Sequence, residues 1–173
     1  MLDEVDNYQA LFGALMFDVD EAHKTLREAD TQFKRRNYVR VVFALIEGET
    51  YLRKRYALML HDLHMLEPRE AEVALLREGQ YRLNNKGEPE EQQLFLRLPE
   101  NLRFSFRMEA KAFGREYNLE SQGKGWESFL KGIEVRNRIT HPKQFEDFQV
   151  SEKDLTHIEN TLEWYKRNSR DLK

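Results

Sequence analysis

The stretch Arg136-Asn137-Arg138-Ile139-Thr140-His141-Pro142 sets a guanidinium, an amide and an imidazole within one to two helical turns that Pro142 then closes. Histidine is the side chain that exchanges a proton most readily near neutrality, so it can take one from a ribose 2′-hydroxyl. Arginine can stabilise the charge that builds on a phosphate under attack. Together the two suffice for metal-free RNA cleavage. Asn137 is four residues before His141 and shares its helix face, where it can position a substrate by hydrogen bonding. Arg136 is five residues before His141, about 140° away around an ideal helix, so the two converge only if the helix end distorts or a second subunit completes the site. Pro142 supplies a reason for distortion, because it drives His141 away from αR geometry. The same spacing also arises where arginines are ordinary C-terminal helix cations and a histidine caps the end before proline.

The helix carrying these residues is expected from Trp126 to about Thr140. Its apolar stripe runs Trp126, Leu130, Ile133 and continues at the same spacing into Asn137 and then Thr140 and His141. The reading places these polar groups on the core or interface side, where they need partners or occupy a cleft. Upstream, Tyr38 to Leu66 is the longest periodic segment, with a stripe through Val42, Leu45, Glu49, Leu52, Tyr56, Met59, Leu63 and Leu66. Apolar residues on its other faces mark a central helix with several neighbours. Glu49 is the acidic intruder on that stripe, and Glu47 lies nearby. Both are candidates to orient the site's arginine or histidine, or to form structural salt bridges. Arg138 and Lys143 are supporting cations.

The remaining elements are expected around these two helices. Leu11, Leu15, Val19, Ala22, Leu26, Ala29 and Phe33 predict a helix from Tyr8 to Phe33, or two joined near Phe17-Asp18, ending around Arg35 to Asn37. Pro68 opens a short helix, Arg69 to Glu78. Between 79 and 98 the pattern breaks at the turn signal Asn84-Asn85-Lys86-Gly87, and Tyr81 to Leu83 with Leu94 to Leu98 read as extended segments or a small hairpin, while Glu88-Pro89-Glu90-Glu91 between them points to a longer loop. Pro99 opens a helix through Leu102, Phe106, Ala110 and Phe113, which Gly114 stops; Tyr117 to Gly125 reads as a loop. Ser151 caps a final helix that buries Leu155, Ile158, Leu162 and Trp164 or Tyr165.

At 173 residues, with 40% hydrophobic and 34% charged residues and only 8 Gly and 4 Pro, the chain reads as one helix-rich domain, 1–173. The expected fold class is all-α, a bundle of about five to six helices with a small insertion near 80–98. The longest apolar runs, such as Val41 to Ile46, are too short to span a bilayer, and Met1-Leu2-Asp3-Glu4 is acidic where a signal peptide is basic. A cytoplasmic protein without membrane partners is the expectation. With no Cys, thiolate zinc sites, disulfides and cysteine nucleophiles are excluded. A net charge of -3 makes the whole molecule no magnet for nucleic acid, so RNA contact needs a local patch. The densest basic clusters are Arg35-Arg36, Arg40 and Arg53-Lys54-Arg55, read as a solvated face or as a track for an RNA backbone. His61-Asp62 with His64, Asp20 with His23, and Asp154 with His157 have metal-like spacing. Asp in place of Glu shortens their reach, and no metal or cofactor is expected.

The string Arg136-Asn137-Arg138-Ile139-Thr140-His141 resembles the R-x4-6-H motif of the HEPN superfamily (higher eukaryotes and prokaryotes nucleotide-binding), including the polar residue that commonly follows the arginine. The resemblance extends to Leu45-Ile46-Glu47 on the long helix, to Gly125-Trp126 opening the motif helix and to Val150-Ser151 entering the last one. It implies an all-α bundle that dimerises with two motif helices face to face, and a metal-independent endoribonuclease of a toxin-antitoxin, abortive-infection or antiviral system. It implies RNA as substrate and an antitoxin or regulatory protein as a further partner. His141 would be general base or acid, Arg136 the phosphate stabiliser and Asn137 a positioning group. Members paired with nucleotidyltransferase antitoxins often carry a modified Tyr two residues after the His; Lys143 stands there, which argues against that mode of silencing. Some members have lost catalysis and only bind or scaffold.

Overall fold

The computed structural model describes residues 2–170; Met1 and 171–173 lie outside them. In chain order the elements are α1 (Leu2–Glu28), α2 (Gln32–Asp62), α3 (Glu70–Leu76), β1 (Gly79–Leu83), β2 (Pro89–Gln93), α4 (Leu98–Ala112), α5 (Gly123–Thr140), a 3-10 turn (Phe145–Phe148) and α6 (Glu152–Arg170). The fold is all-α with a small hairpin insertion, as the sequence predicts. Among the described residues no helix is long and apolar enough to cross a membrane. The chain divides into two compact units, Met1–Glu49 with Asn118–Lys173, and Thr50–Tyr117.

The first unit holds α1, the start of α2, α5 and α6. The break between α1 and α2 falls at Ala29 to Thr31, earlier than the expected end near Arg35 to Asn37, and α1 is continuous through Phe17-Asp18. Short polar side chains cause the break: Thr31 Oγ1 accepts from Lys34 N at 3.4 Å, and Asp30 takes both Arg35 Nε and a terminal nitrogen at 2.6 and 2.5 Å. Phe33 therefore starts a new helix and is 68% exposed instead of joining the core. Val39, Val42, Phe43, Leu45 and Ile46 of α2 are buried, together with Val19, Ala22 and Leu26 of α1, Phe129 and Ile139 of α5, and Ile158 and Trp164 of α6. Each of the larger aliphatic and phenyl side chains contributes roughly 1.5–3 kcal/mol by leaving water. The rings interlock, Phe129 stacking on Trp164 at 5.3 Å and Trp126 meeting Trp164 edge-on at 5.6 Å. Gly125 makes room for that tryptophan, since a Cβ there would lie 2.4 Å from its ring. α6 starts with reciprocal caps, Asp154 N to Ser151 Oγ at 3.2 Å and Ser151 N to Asp154 Oδ2 at 2.8 Å.

The second unit packs Ala57, Leu58, Leu60, Leu66, Leu76 and Met108 around its own small core. α2 stops at Asp62, short of the expected Leu66, because Met65 N and Leu66 N both fold back onto Leu60 O and His64 takes a left-handed φ of 58°. Arg53 and Lys54 are buried in this unit and are neither a solvated face nor an RNA track. Arg53 pairs with Glu109 and lies over the Phe106 ring at 4.3 Å, and Lys54 pairs with Glu78. In α3, Glu72 accepts from Arg69 N at 2.8 Å and from Lys111 Nζ at 2.9 Å.

The hairpin pairs β1 with β2 antiparallel, Tyr81 opposite Glu91, so its second strand is the acidic Pro89–Gln93 and not Leu94 to Leu98. Asn84 explains the difference. Its Oδ1 accepts from Lys86 N and Glu88 N at 2.9 and 3.0 Å, closing the turn so soon that pairing starts at Pro89. Phe95, expected in a strand, is 84% exposed.

Candidate functional site

Arg136 leaves α5 toward α2, where its guanidinium pairs with the Glu47 carboxylate. It also donates to Asn137 Oδ1 at 2.9 Å and stands over the Phe43 ring at 5.8 Å. Its Nε is buried without a hydrogen-bond partner among the described residues. Burial lowers its pKa from the ordinary arginine value, and Glu47 supplies the counter-charge. Glu47 and Glu49 project about 200° apart on a helix, so one of them faces Arg136. That one is Glu47, while Glu49 is a buried residue two positions on. Sequence reasoning missed Phe43, although it precedes Glu47 by one turn and so shares its face.

The buried face of α5 is Trp126, Phe129, Gly132, Val135 and Ile139, with Ser128 beside them. This corrects the expected stripe. Leu130 is 38% exposed, and Asn137, Thr140 and His141 all face outward. The misreading has a physical source. Gly132 and Ser128 are small, non-apolar positions that the hydrophobic pattern skips, yet Gly132 is where α5 closes on the core, with an added Cβ lying 3.0 Å from Phe43 and 3.2 Å from Ile158.

His141 caps α5 at φ -127°, ψ 60°, its backbone N–H still bonding Asn137 O at 3.0 Å. It has left αR geometry, as expected of a residue before proline. Its ring is exposed and makes no hydrogen bond or ion pair among the described residues. Thr140 turns back to Arg136 O at 2.7 Å. The last turn of α5 thus presents a half-buried, ion-paired guanidinium, an amide hydrogen-bonded to it, and an open imidazole.

Arg138 belongs to a different construction. It donates to Asp147 O at 3.0 Å, to Gln149 O, and to Asp154 Oδ2 at 2.6 Å. Two arginines of α2 join it on the same connector: Arg35 donates to Val150 O at 2.9 Å, and Arg36 to Phe148 O at 3.1 Å while lying over the Phe148 ring at 3.9 Å. Gln32 brackets Val150, accepting from its N–H at 2.8 Å and donating to its carbonyl at 3.0 Å. Lys143 N donates to Asp147 Oδ2 at 3.0 Å, with its side chain in solvent. The Arg35-Arg36 cluster is therefore a clamp on the connector behind His141. Nothing in the sequence announces carbonyls as the partners of these cations.

Among the described residues no three His, Asp or Glu side chains converge as a metal site would require. His61 Nδ1 lies 3.3 Å from Leu66 O, His23 stacks on Tyr38 at 5.3 Å, and His157 Nδ1 lies 3.4 Å from Ser128 Oγ. Comparison of the chain with family models, with curated proteins and with solved structures finds no match.

Proposed function

We propose that this protein is a metal-independent endoribonuclease of the HEPN type, working in a toxin-antitoxin, abortive-infection or antiviral setting. The observation that carries the reading is the end of α5, where Arg136 is held by Glu47 and Asn137 one turn before the open ring of His141. His141 takes the 2′-hydroxyl proton, the 2′-oxygen attacks phosphorus, and the 5′-oxygen leaves as it takes a proton from water, giving a 2′,3′-cyclic phosphate and a 5′-hydroxyl, after which His141 returns its proton to solvent. Arg136 stabilises the charge on the phosphoryl oxygens. Single-stranded or looped RNA is the substrate class, because its 2′-hydroxyl is free to move in line. The outward α5 face of Leu130, Ile133, Asn137 and His141 is the surface on which a second motif helix would bring a second pair of groups. An antitoxin or regulatory protein would silence the site by covering the same face.

The test is incubation of the pure protein with single-stranded and stem-loop RNA in EDTA, followed by analysis of product ends. Wild-type cleavage lost in His141→Ala supports the reading. Cleavage by His141→Ala at the wild-type rate overturns it.

One observation favours a second reading. Glu47 already neutralises Arg136 within the chain, as expected of a helical binding or scaffold module that keeps the fold without turnover. In that case Arg136→Ala alters stability or partner binding, and there is no hydrolysis to lose.

A further inference from the structure

Within residues 50–117 a cleft of about 330 Å³ opens between α3 and the hairpin, the size of a site for one small molecule. Pro68, Val73 and Ala74, all half-buried, give it an apolar floor. Glu70, Val73, Ala74 and Arg77 follow one another at three- and four-residue spacing, so they share one face of α3 and its end. Glu70 and Arg77 therefore stand at opposite ends of the cleft, about 10 Å apart along the helix axis. The hairpin register sets Tyr81 opposite Glu91, on the face that also carries Gly79. Gly79 is buried, and a Cβ there would stand 3.0 Å from Glu91 Oε1, so the carboxylate lies over bare backbone at the Arg77 end. His61 also lines the cleft; its Nδ1 donates to Leu66 O at 3.3 Å, which leaves Nε2 of the neutral ring as an acceptor.

The charges of this lining are unmatched. Nearby carboxylates are neutralised within the chain, Glu72 by Arg69 and Lys111, Glu78 by Lys54 and Glu90 by Arg82. The side chains of Glu70, Glu91 and Arg77 have no ion pair or hydrogen bond among the described residues. We infer that the cleft binds a free α-amino acid with a cationic side chain, of the lysine type. Its α-ammonium lies between Glu91 and the Tyr81 ring, its α-carboxylate meets Arg77, its stem crosses Val73 and Ala74, and its side-chain ammonium meets Glu70. His61 Nε2 is a further acceptor for an ammonium group. Two carboxylates and a guanidinium thus meet two ammonium groups and a carboxylate. An aliphatic diamine leaves Arg77 unmatched, and a neutral amino acid leaves Glu70 unmatched. The inference does not rest on the nuclease reading, since no residue of the α5 site lines this cleft.

Calorimetric titration of the full chain at low salt tests it, with L-lysine, cadaverine and L-norleucine as probes and circular dichroism to verify the fold of each variant. Lysine is expected to bind one to one, and each of the other two about fivefold more weakly. Glu70→Gln lowers lysine affinity about fivefold and leaves norleucine unchanged, whereas Arg77→Gln lowers lysine by a similar factor and leaves cadaverine unchanged. Glu91→Gln weakens all three. Ala74→Leu fills the path of the stem with a good helix former and abolishes binding without removing a charge. Absence of saturable lysine binding at millimolar concentration, cadaverine or norleucine binding as tightly as lysine, or wild-type affinity in Ala74→Leu would overturn the inference.

Discussion

Arg138 reaches Asp154 Oδ2 at 2.6 Å, joining the last turn of α5 to the first turn of α6. The same oxygen accepts from Ser151 N at 2.8 Å and Ser151 Oγ at 2.7 Å, so one carboxylate caps α6 and anchors the arginine that holds the connector. Asp154→Ala removes the cap and strands a partly buried guanidinium. The expected cost is about 2 kcal/mol, read as a drop in thermal midpoint of roughly 4–8 °C. A midpoint within a degree of wild type would show that the clamp holds without it.

Two carboxylates make the fold acid-sensitive. Burial works to raise the pKa of Asp154, but the hydrogen bonds from Ser151 and Arg138 outweigh it and hold the group below the ordinary range. In the same balance Glu72, desolvated but bonded by Arg69 and Lys111, is held at about 2. Both groups release protons more readily folded than unfolded, so their contribution is complete above the unfolded values near 4 and is lost as pH falls through the folded ones. Urea midpoints measured from pH 6 to pH 2 are expected to fall most steeply below about pH 4. Glu72→Gln is expected to flatten that fall while lowering stability at pH 6.

Lys54 and Glu78 form an unequal pair, the lysine buried and the glutamate 30% exposed. Removing the exposed partner leaves a buried charge, whereas removing the buried one leaves a carboxylate that water can reach. Glu78→Gln is therefore expected to cost about 3 kcal/mol, and Lys54→Met less than half of that. Chemical denaturation of both variants measures the asymmetry, and equal losses would refute it.

The helices were legible in the sequence because they announce themselves by period and by punctuation. Ser151 before α6, Pro99 at the start of α4 and Gly114 after it, with φ 61°, lie where the pattern puts them. What misled was local polar chemistry and small residues. Asp30-Thr31 broke a run whose apolar period continues to Phe33, and Asn84 pulled the hairpin onto an acidic strand. Gly132 hides the true buried face of α5, so Asn137 and His141 read from the pattern as continuing its apolar stripe on the core or interface side, whereas they are exposed and off that face. Of the candidate site, the pairing of Glu47 with Arg136 was accessible from sequence only as one of two choices. The fate of Arg138 was not, since its partners are two backbone carbonyls and the Asp154 carboxylate, brought together by the fold.

Gly125 is a small residue whose need can be measured. A Cβ there would stand 2.4 to 2.8 Å from three atoms of Trp164, whose indole N–H is fixed to Glu120 O at 2.9 Å and so cannot swing away freely. Gly125→Ala is expected to cost about 1–3 kcal/mol through overpacking, despite the better helix propensity of alanine. Tryptophan emission and thermal midpoint both report on it. A variant as stable as wild type would mean that the ring relaxes without penalty.

The catalytic reading makes a graded prediction about Arg136, His141 and Glu47. His141→Ala removes proton transfer and is expected to lower kcat about 10²–10⁴-fold, and Arg136→Ala about 10²–10³-fold through lost charge stabilisation. Glu47 does not meet RNA in this scheme; it holds the guanidinium in place, so Glu47→Gln, which keeps a hydrogen-bond acceptor, is expected to lose far less than Glu47→Ala. The opposite sign is also physically meaningful. If the ion pair restrains Arg136 from substrate, Glu47→Ala frees a cation and cleavage rises. Measuring kcat and KM separately for the four variants distinguishes these cases. Positioning lowers kcat with KM little changed, release of a restraining pair lowers KM, and four variants without any effect would leave the nuclease assignment without support.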